Sequence, residues 1–380
     1  MIKEFNLGYY VKIKRVARTA VLPIRRRAAC YSGKATEGDP ILTKGEGAAS
    51  GIARLMQPQN TSMTTYIARR TLHALVIIIL VSIIVFFLIR ALPGDPVSMI
   101  VYASGDVEWS PEMIEALREQ AGLSGSMPMQ YLRWMGKVLQ GDFGNSILHR
   151  YSIGEQLKSR VTVSMLIGGT AFAISLVVGP FLGIVSAIRR GKFVDNLVTL
   201  FANIGITAPT FWIAILLIFL FSMRLELLPI YGYTLPWVNF GESFRQSILP
   251  VFVTALGPIA SSARQTRSSV LEVLGEDYIR TAWAKGMNER KVLLKHVLKN
   301  SLMPVVTIQG QMLRFIVGGS VVVERVFVIP GMGNFMVGAM LSRDYAIVQA
   351  VAVVMTGVVI LSSLIVDLLY GWLDPRIQYD

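Results

Sequence analysis

The chain has 380 residues, of which 53% are hydrophobic and 16% charged, yet its formal net charge is +13. About a quarter of an average soluble domain is charged, so this balance fits a membrane protein whose Lys and Arg collect on one side of the bilayer. It excludes a disordered chain, a disulfide scaffold and a coiled coil. A single cysteine, Cys30, excludes an internal disulfide, and three scattered histidines, His73, His149 and His296, argue against a Cys/His metal cluster.

Residues 1–62 form a basic extension with 11 Lys/Arg and 4 acidic residues. The triplet Arg25–Arg26–Arg27 is not followed by the apolar region a secretory signal needs, because the first long apolar run begins at Thr71. A cytoplasmic tail touching anionic lipid and a translation start at Met63 are both consistent with this composition. The intact mass of the natively expressed protein separates them.

About 20 apolar residues cross a bilayer as a helix. Six stretches qualify: Thr71–Ile89, Val161–Ile188, Asn196–Ser222, Ile248–Ala263, Met303–Val323 and Ile347–Tyr370. They are too continuous for the alternating strands of an outer-membrane barrel. The predicted class is therefore an all-α membrane protein with six transmembrane helices. With the N-terminus inside, segments 1–70, 189–195, 264–302 and 371–380 hold 25 of the 37 Lys/Arg. The outer segments 90–160, 223–247 and 324–346 hold 11, and Arg314 lies within the fifth span. The bias predicts two cytoplasmic termini, which an even number of spans requires.

The outer insertion, 90–160, reads as a small helical cap. Leu92–Pro93–Gly94–Asp95–Pro96 forms a turn after the first span. Ser110 N-caps a helix with Pro111 at its first position, and Gly122 ends it. A second helix covers Met129–Leu139, and Gly141–Asp142–Phe143–Gly144 is a further turn. A lid over the bundle and a docking surface are both compatible with this cap.

The inner segment, 264–302, has room for three short helices. Leu271, Val273 and Leu274 form an apolar patch that Gly275 interrupts. Tyr278, Ile279, Ala282 and Trp283 share one helical face, and Gly286 stands where a terminating glycine belongs. Val292, Leu293, Val297 and Leu298 make another stripe among Arg290, Lys291, Lys295 and Lys299.

An Ala followed four residues later by Gly and then by a distal Pro, in a polar loop between the fourth and fifth spans, resembles the EAA loop of ABC importer permeases. Arg280, Thr281, Ala282, Gly286 and Pro304 occupy its slots. Arg280 and Thr281 depart from the general Glu-Ala and resemble the dipeptide/oligopeptide branch, which includes nickel and glutathione importers. Three further stretches are similar to that branch: Leu92–Pro96, Val328–Ile329–Pro330–Gly331–Met332–Gly333, and the run from Asp367 to Arg376.

The resemblance, which covers about Met63 to Tyr379, implies a type I importer permease in the bacterial inner membrane. It would import di- or oligopeptides, or by the same machinery a nickel chelate, glutathione or another small solute. The implied partners are a second homologous permease, two ATP-binding subunits and an extracytoplasmic substrate-binding protein, all around the lipid bilayer and without nucleic acid. The 276–290 loop would be the ATPase-coupling element, with Asp277, Tyr278, Arg280, Thr281, Ala282, Lys285 and Gly286 as its residues. In that reading the apolar face of Ile279, Ala282 and Trp283 enters a groove on the ATPase.

No phosphate loop of the form G-x-x-x-x-G-K-[ST] occurs, so the resemblance leaves ATP on the partner subunits and gives this chain no cofactor and no catalytic residue of its own. Arg314 lies about 16 Å into the fifth span at ~1.5 Å per residue. It serves either in an ion pair, with Asp367 as one candidate, or in the wall of the pathway. Gly310 and Gly318 on the same span are further pathway candidates. Gly179 and Gly183 suit close helix packing or hinge bending, and Pro209 is placed to kink the third span. A secondary transporter would carry inverted repeats, and none is visible between 71–222 and 248–370.

Overall fold

A computed structural model describes residues 63–91, 110–120, 122–146 and 148–373. The 1–62 extension, the 92–96 turn and residues 374–376 lie outside the described residues. The described residues belong to one compact unit spanning 61–379, and they are mostly helical, with turns and a longer irregular connection at 225–239.

Helix α1 is Met63–Ala91. The outer insertion supplies α2, Pro111–Gln120, and α3, Met127–Leu139. Both helices were expected. The Ser110 hydroxyl accepts the Met113 amide at 3.2 Å, and Gly122 adopts φ +69°, a left-handed conformation that costs glycine nothing. Gly141 and Gly144 are also left-handed, at +82° and +80°, and the Gly144 amide donates to Asp142 Oδ1 at 2.9 Å.

The centre of the fold is α4, Ile153–Ile188, packed along α7, Phe240–Leu274. Glycine makes this contact possible. A Cβ at Gly183 would lie 2.5 Å from both Ala263 O and Thr266 Cβ, and one at Gly179 would lie 2.6 Å from Ser262 Cβ. No side chain larger than hydrogen fits there, so the packing role expected of these two glycines is the observed one.

Between α4 and α7 the chain forms α5, Phe193–Thr207, and α6, Thr210–Leu217, which runs on as a π-helical turn, Ile218–Arg224. These two segments meet at 110°. The proline expected to kink this span breaks it instead. The residue before a proline is driven out of the α region, and Ala208 is extended at φ −75°, ψ 135°.

The fourth predicted span, Ile248–Ala263, is the middle of the 35-residue α7, which continues through Pro250 and Pro258 to Leu274. Next come α8, Asp277–Ala284, α9, Glu289–Val292, a π-helical turn Leu293–Val297, and α10, Leu298–Val326. The last helices are α11, Met332–Leu341, and α12, Tyr345–Leu373.

Among the described residues, four helices are long and apolar enough to cross a membrane: Ile67–Ala91, Ile153–Ile188, Phe240–Leu274 and Tyr345–Leu368. Taken together as one broken span, the bent α5–α6 pair brings the number to five. The remaining predicted span lies on α10, whose 29 residues extend about 43 Å at ~1.5 Å per residue.

Buried apolar residues gather in three clusters. One joins α4, α6, α7 and α10 through Ile167, Ala214, Val253 and Val323. A second joins α1, α4, α11 and α12 through Ile89, Ile153, Phe335 and Val351. The third lies at the other end of α4 and α7, where Ala187 and Val270 meet Ile279, Ala282, Val292 and Val297.

Candidate functional site

The third cluster is a socket for α8. Gly275 caps α7, and Glu276 turns the chain into α8 with Asp277 in its first turn, where a negative charge suits the helix dipole. The far end closes as a Schellman motif. The Gly286 amide donates to Trp283 O at 2.9 Å, the Met287 amide donates to Ala282 O at 3.3 Å, and Gly286 sits at φ +72°. Asn288 caps α9 by accepting the Arg290 amide at 3.1 Å.

The expected apolar face of α8 divides in two. Ile279 is fully buried and Ala282 is 8% exposed, both inside the chain's own socket. These two therefore seat the helix and are not available to enter a partner's groove, which corrects the expectation for them. The socket takes the i, i+3 pair Ile279 and Ala282, whereas Tyr278 and Trp283 on either side stay 42% and 44% exposed. Asp277, Arg280, Thr281, Ala284 and Lys285 complete the open face.

Several contacts hold that face in shape. Asn300 Nδ2 donates to the Tyr278 hydroxyl at 2.9 Å, tying α8 to α10. The Thr281 hydroxyl donates to Asp277 O at 3.0 Å, and Arg280 pairs with Asp277 at 3.3 Å in full solvent. An exposed pair of that kind contributes under about 0.5 kcal/mol. Gly286 has open space where a Cβ would stand, so its backbone angle, and not crowding within this chain, is what requires glycine.

Two polar centres that sequence reasoning missed flank the long helices. Near the socket, the Asp195 carboxylate is 3% exposed. It accepts Arg267 Nε at 2.7 Å and Nη2 at 2.9 Å, the Ser186 hydroxyl at 2.6 Å and the Gly191 amide at 2.8 Å. At the opposite end of α4 and α7, Glu324 is fully buried. It accepts the Ser164 hydroxyl at 2.6 Å and the Gly333 and Asn334 amides at 2.7 and 3.1 Å. The Ser164 oxygen in turn accepts the Met332 amide at 2.8 Å, so the first turn of α11 is capped by residues from α10 and α4. The sequence signal for Glu324 was faint: an acidic residue shortly before a Pro-Gly turn and an apolar run.

The pathway candidates all lie on α10. Gly310 is half-buried, next to Gln309, whose amide nitrogen donates to Ser262 Oγ at 2.7 Å and Ser175 O at 3.3 Å. The side-chain surroundings of Arg314 and Gly318 lie outside the described residues. Asp367 pairs with Arg70 of α1 at 3.3 Å.

Comparison with known proteins adds the following. Residues 179–379 match the family model described as binding-protein-dependent transport system inner membrane component, and residues 63–170 match the corresponding N-terminal model. The probable peptide ABC transporter permease protein y4tP of Sinorhizobium fredii is 37% identical over 317 residues, covering 83% of this chain and 100% of that protein. The oligopeptide transport system permease protein AppB of Bacillus subtilis is 37% identical over 324 residues, with the same coverage. A putative peptide permease of Brucella suis is 37% identical over 320 residues, covering 83% of this chain and 99% of its own.

Proposed function

This chain belongs to the family of inner-membrane components of binding-protein-dependent transport systems, and from that premise we propose that it is one half of a peptide-conducting pathway driven by separate ATPase subunits. It is a multi-pass permease component. The peptide substrate is carried over from the names of its relatives.

The observation that carries the coupling role is the open face of α8. An eight-residue helix is seated by two buried side chains and presents Tyr278, Arg280, Thr281, Trp283 and Lys285 outward. A half-exposed tryptophan ringed by charge is the composition of an anchor at a protein interface. Both termini and the 264–302 segment lie in the cytoplasm in this reading, in line with the Lys/Arg bias. Two ATPases bind ATP below, and one of them receives Trp283 in a groove whose acidic rim meets Arg280 and Lys285. A second permease completes the pathway, and Arg314, Gly310 and Gly318 line it. A substrate-binding protein docks on the outer segments. The chain itself performs no catalysis.

Co-purification of the natively expressed chain tests the assembly. Recovery with two ATPase chains and a second permease is expected, whereas a stable lone chain that transports peptide overturns the reading. Gly286→Asp keeps membrane insertion and binding-protein docking and uncouples transport from ATP hydrolysis; normal transport by this variant removes the coupling assignment.

A further inference from the structure

The buried Asp195–Arg267 pair stands beside the α8 socket and has no part in the coupling face itself. Ser186, which donates to Asp195, precedes Ala187 of the socket. Arg267 lies three residues, less than one helical turn, before Val270 of the socket. The ends of α4 and α7 thus carry both structures. These ends are locked together, because Gly183 lets α4 approach the backbone of α7 with no room for a side chain. Force applied to α8 through Ile279 and Ala282 therefore acts on a block made of both ends.

Helix α5 meets that block at its first turn through one carboxylate. Asp195 receives four hydrogen bonds, one from Ser186 at the end of α4, one from Gly191 in the α4–α5 turn and two from Arg267 on α7. The two from Arg267 form a planar fork, which fixes direction as well as distance. Further along, α5 continues in contact with α7, where a Cβ at Gly205 would stand 2.8 Å from Ala260 Cβ. Beyond Thr207 the chain turns 110° into α6. A small rotation of α5 is thereby delivered to an elbow, and packed interfaces of this kind switch between discrete arrangements and do not deform smoothly.

We propose that the Asp195–Arg267 fork is the joint through which load on α8 reaches α5 and the elbow at Pro209. It makes Asp195 and Arg267 positioning residues for transport. The proposal rests on the coupling reading of α8. Without the fork, α8 still moves the ends of α4 and α7 and α5 keeps its packing on α7 near Gly205, but the first turn of α5 is no longer fixed in direction to the block.

The test uses the full transporter with its ATPase subunits, in a Cys30→Ser background, with spin labels at Glu272→Cys on α7 and Thr199→Cys on α5. Both sites are exposed. The label–label distance is measured without nucleotide and with ATP and vanadate. With the fork intact, the distance is the same in both states. Asp195→Asn is expected to shift or broaden it by about 2 Å or more in the trapped state, the scale of helix shifts in switching proteins.

Arg267→Lys keeps the charge and loses the fork, and it is expected to act in the same direction. It answers the question should Asp195→Asn fail to assemble. If neither variant changes the distance in either state, the joint is overturned. Trp283→Ala is examined in parallel for retention of the ATPase subunits. Loss of the ATPases there, together with unchanged distances in the fork variants, removes the joint alone. Full retention with normal transport removes the coupling reading beneath it.

Discussion

Helices α8 and α11 are both short, at eight and ten residues, and both sit in connections at opposite ends of α4 and α7, yet they are held in opposite ways. Two apolar side chains seat α8, and most of its surface is bare. Four of the ten residues of α11 are buried, and its first turn is capped by a fully buried carboxylate and a serine from two other helices. A helix finished within its own chain satisfies its end groups internally. A helix left open on one side keeps an exposed face. The contrast separates a helix completed within its own chain from one whose outer face is free for the docking proposed above.

Four substitutions probe that contrast. The largest effect is expected from Glu324→Ala, which strips two amides and one hydroxyl of their buried partner. Losses of about 3 kcal/mol are typical of such removals, so the detergent-solubilised complex should melt well below the parent. A melting point equal to the parent's means that α11 does not depend on the cap.

Next comes Ile279→Ala. It opens a cavity in the socket and costs about 2–3 kcal/mol, read as faster proteolysis of the 276–290 loop; unchanged protection means the socket does not hold α8. Trp283→Ala should change stability by less than about 0.5 kcal/mol while weakening ATPase retention about tenfold, as loss of a tryptophan anchor does. If stability falls as it does for Ile279→Ala, Trp283 belongs to the socket and not to the open face. The smallest is Gly286→Ala, which forces a side chain into φ +72° at about 1 kcal/mol. Thermal shifts of the two Gly286 variants separate this backbone cost from the charge of Asp.

Much of the fold was legible locally. Span positions follow from apolar length, and the ends of α2 and α8 follow from Ser110, Gly122 and Gly286, because capping is an interaction within a few residues. Pro209 announced a disturbance for the same reason. The break of 110° was not legible, since the angle is set by what α5 and α6 pack against. Nor was α11. Ten mostly apolar residues are too few for a span, and its cap comes partly from Ser164, 168 residues away from the Met332 amide it accepts.

The sequence by itself determined the membrane class, the family and the register of α8, because hydropathy, caps and motif spacing are written in neighbouring residues. Only the tertiary structure decided which half of the α8 face is used internally, since burial depends on the socket built by Ala187, Val270, Val292 and Val297. It also decided that Asp195 and Arg267, 72 residues apart, form one buried fork. A charge in a sequence carries no mark of its partner. The partner is chosen when desolvation makes an unpaired charge too costly, and that choice is made only in the packed chain.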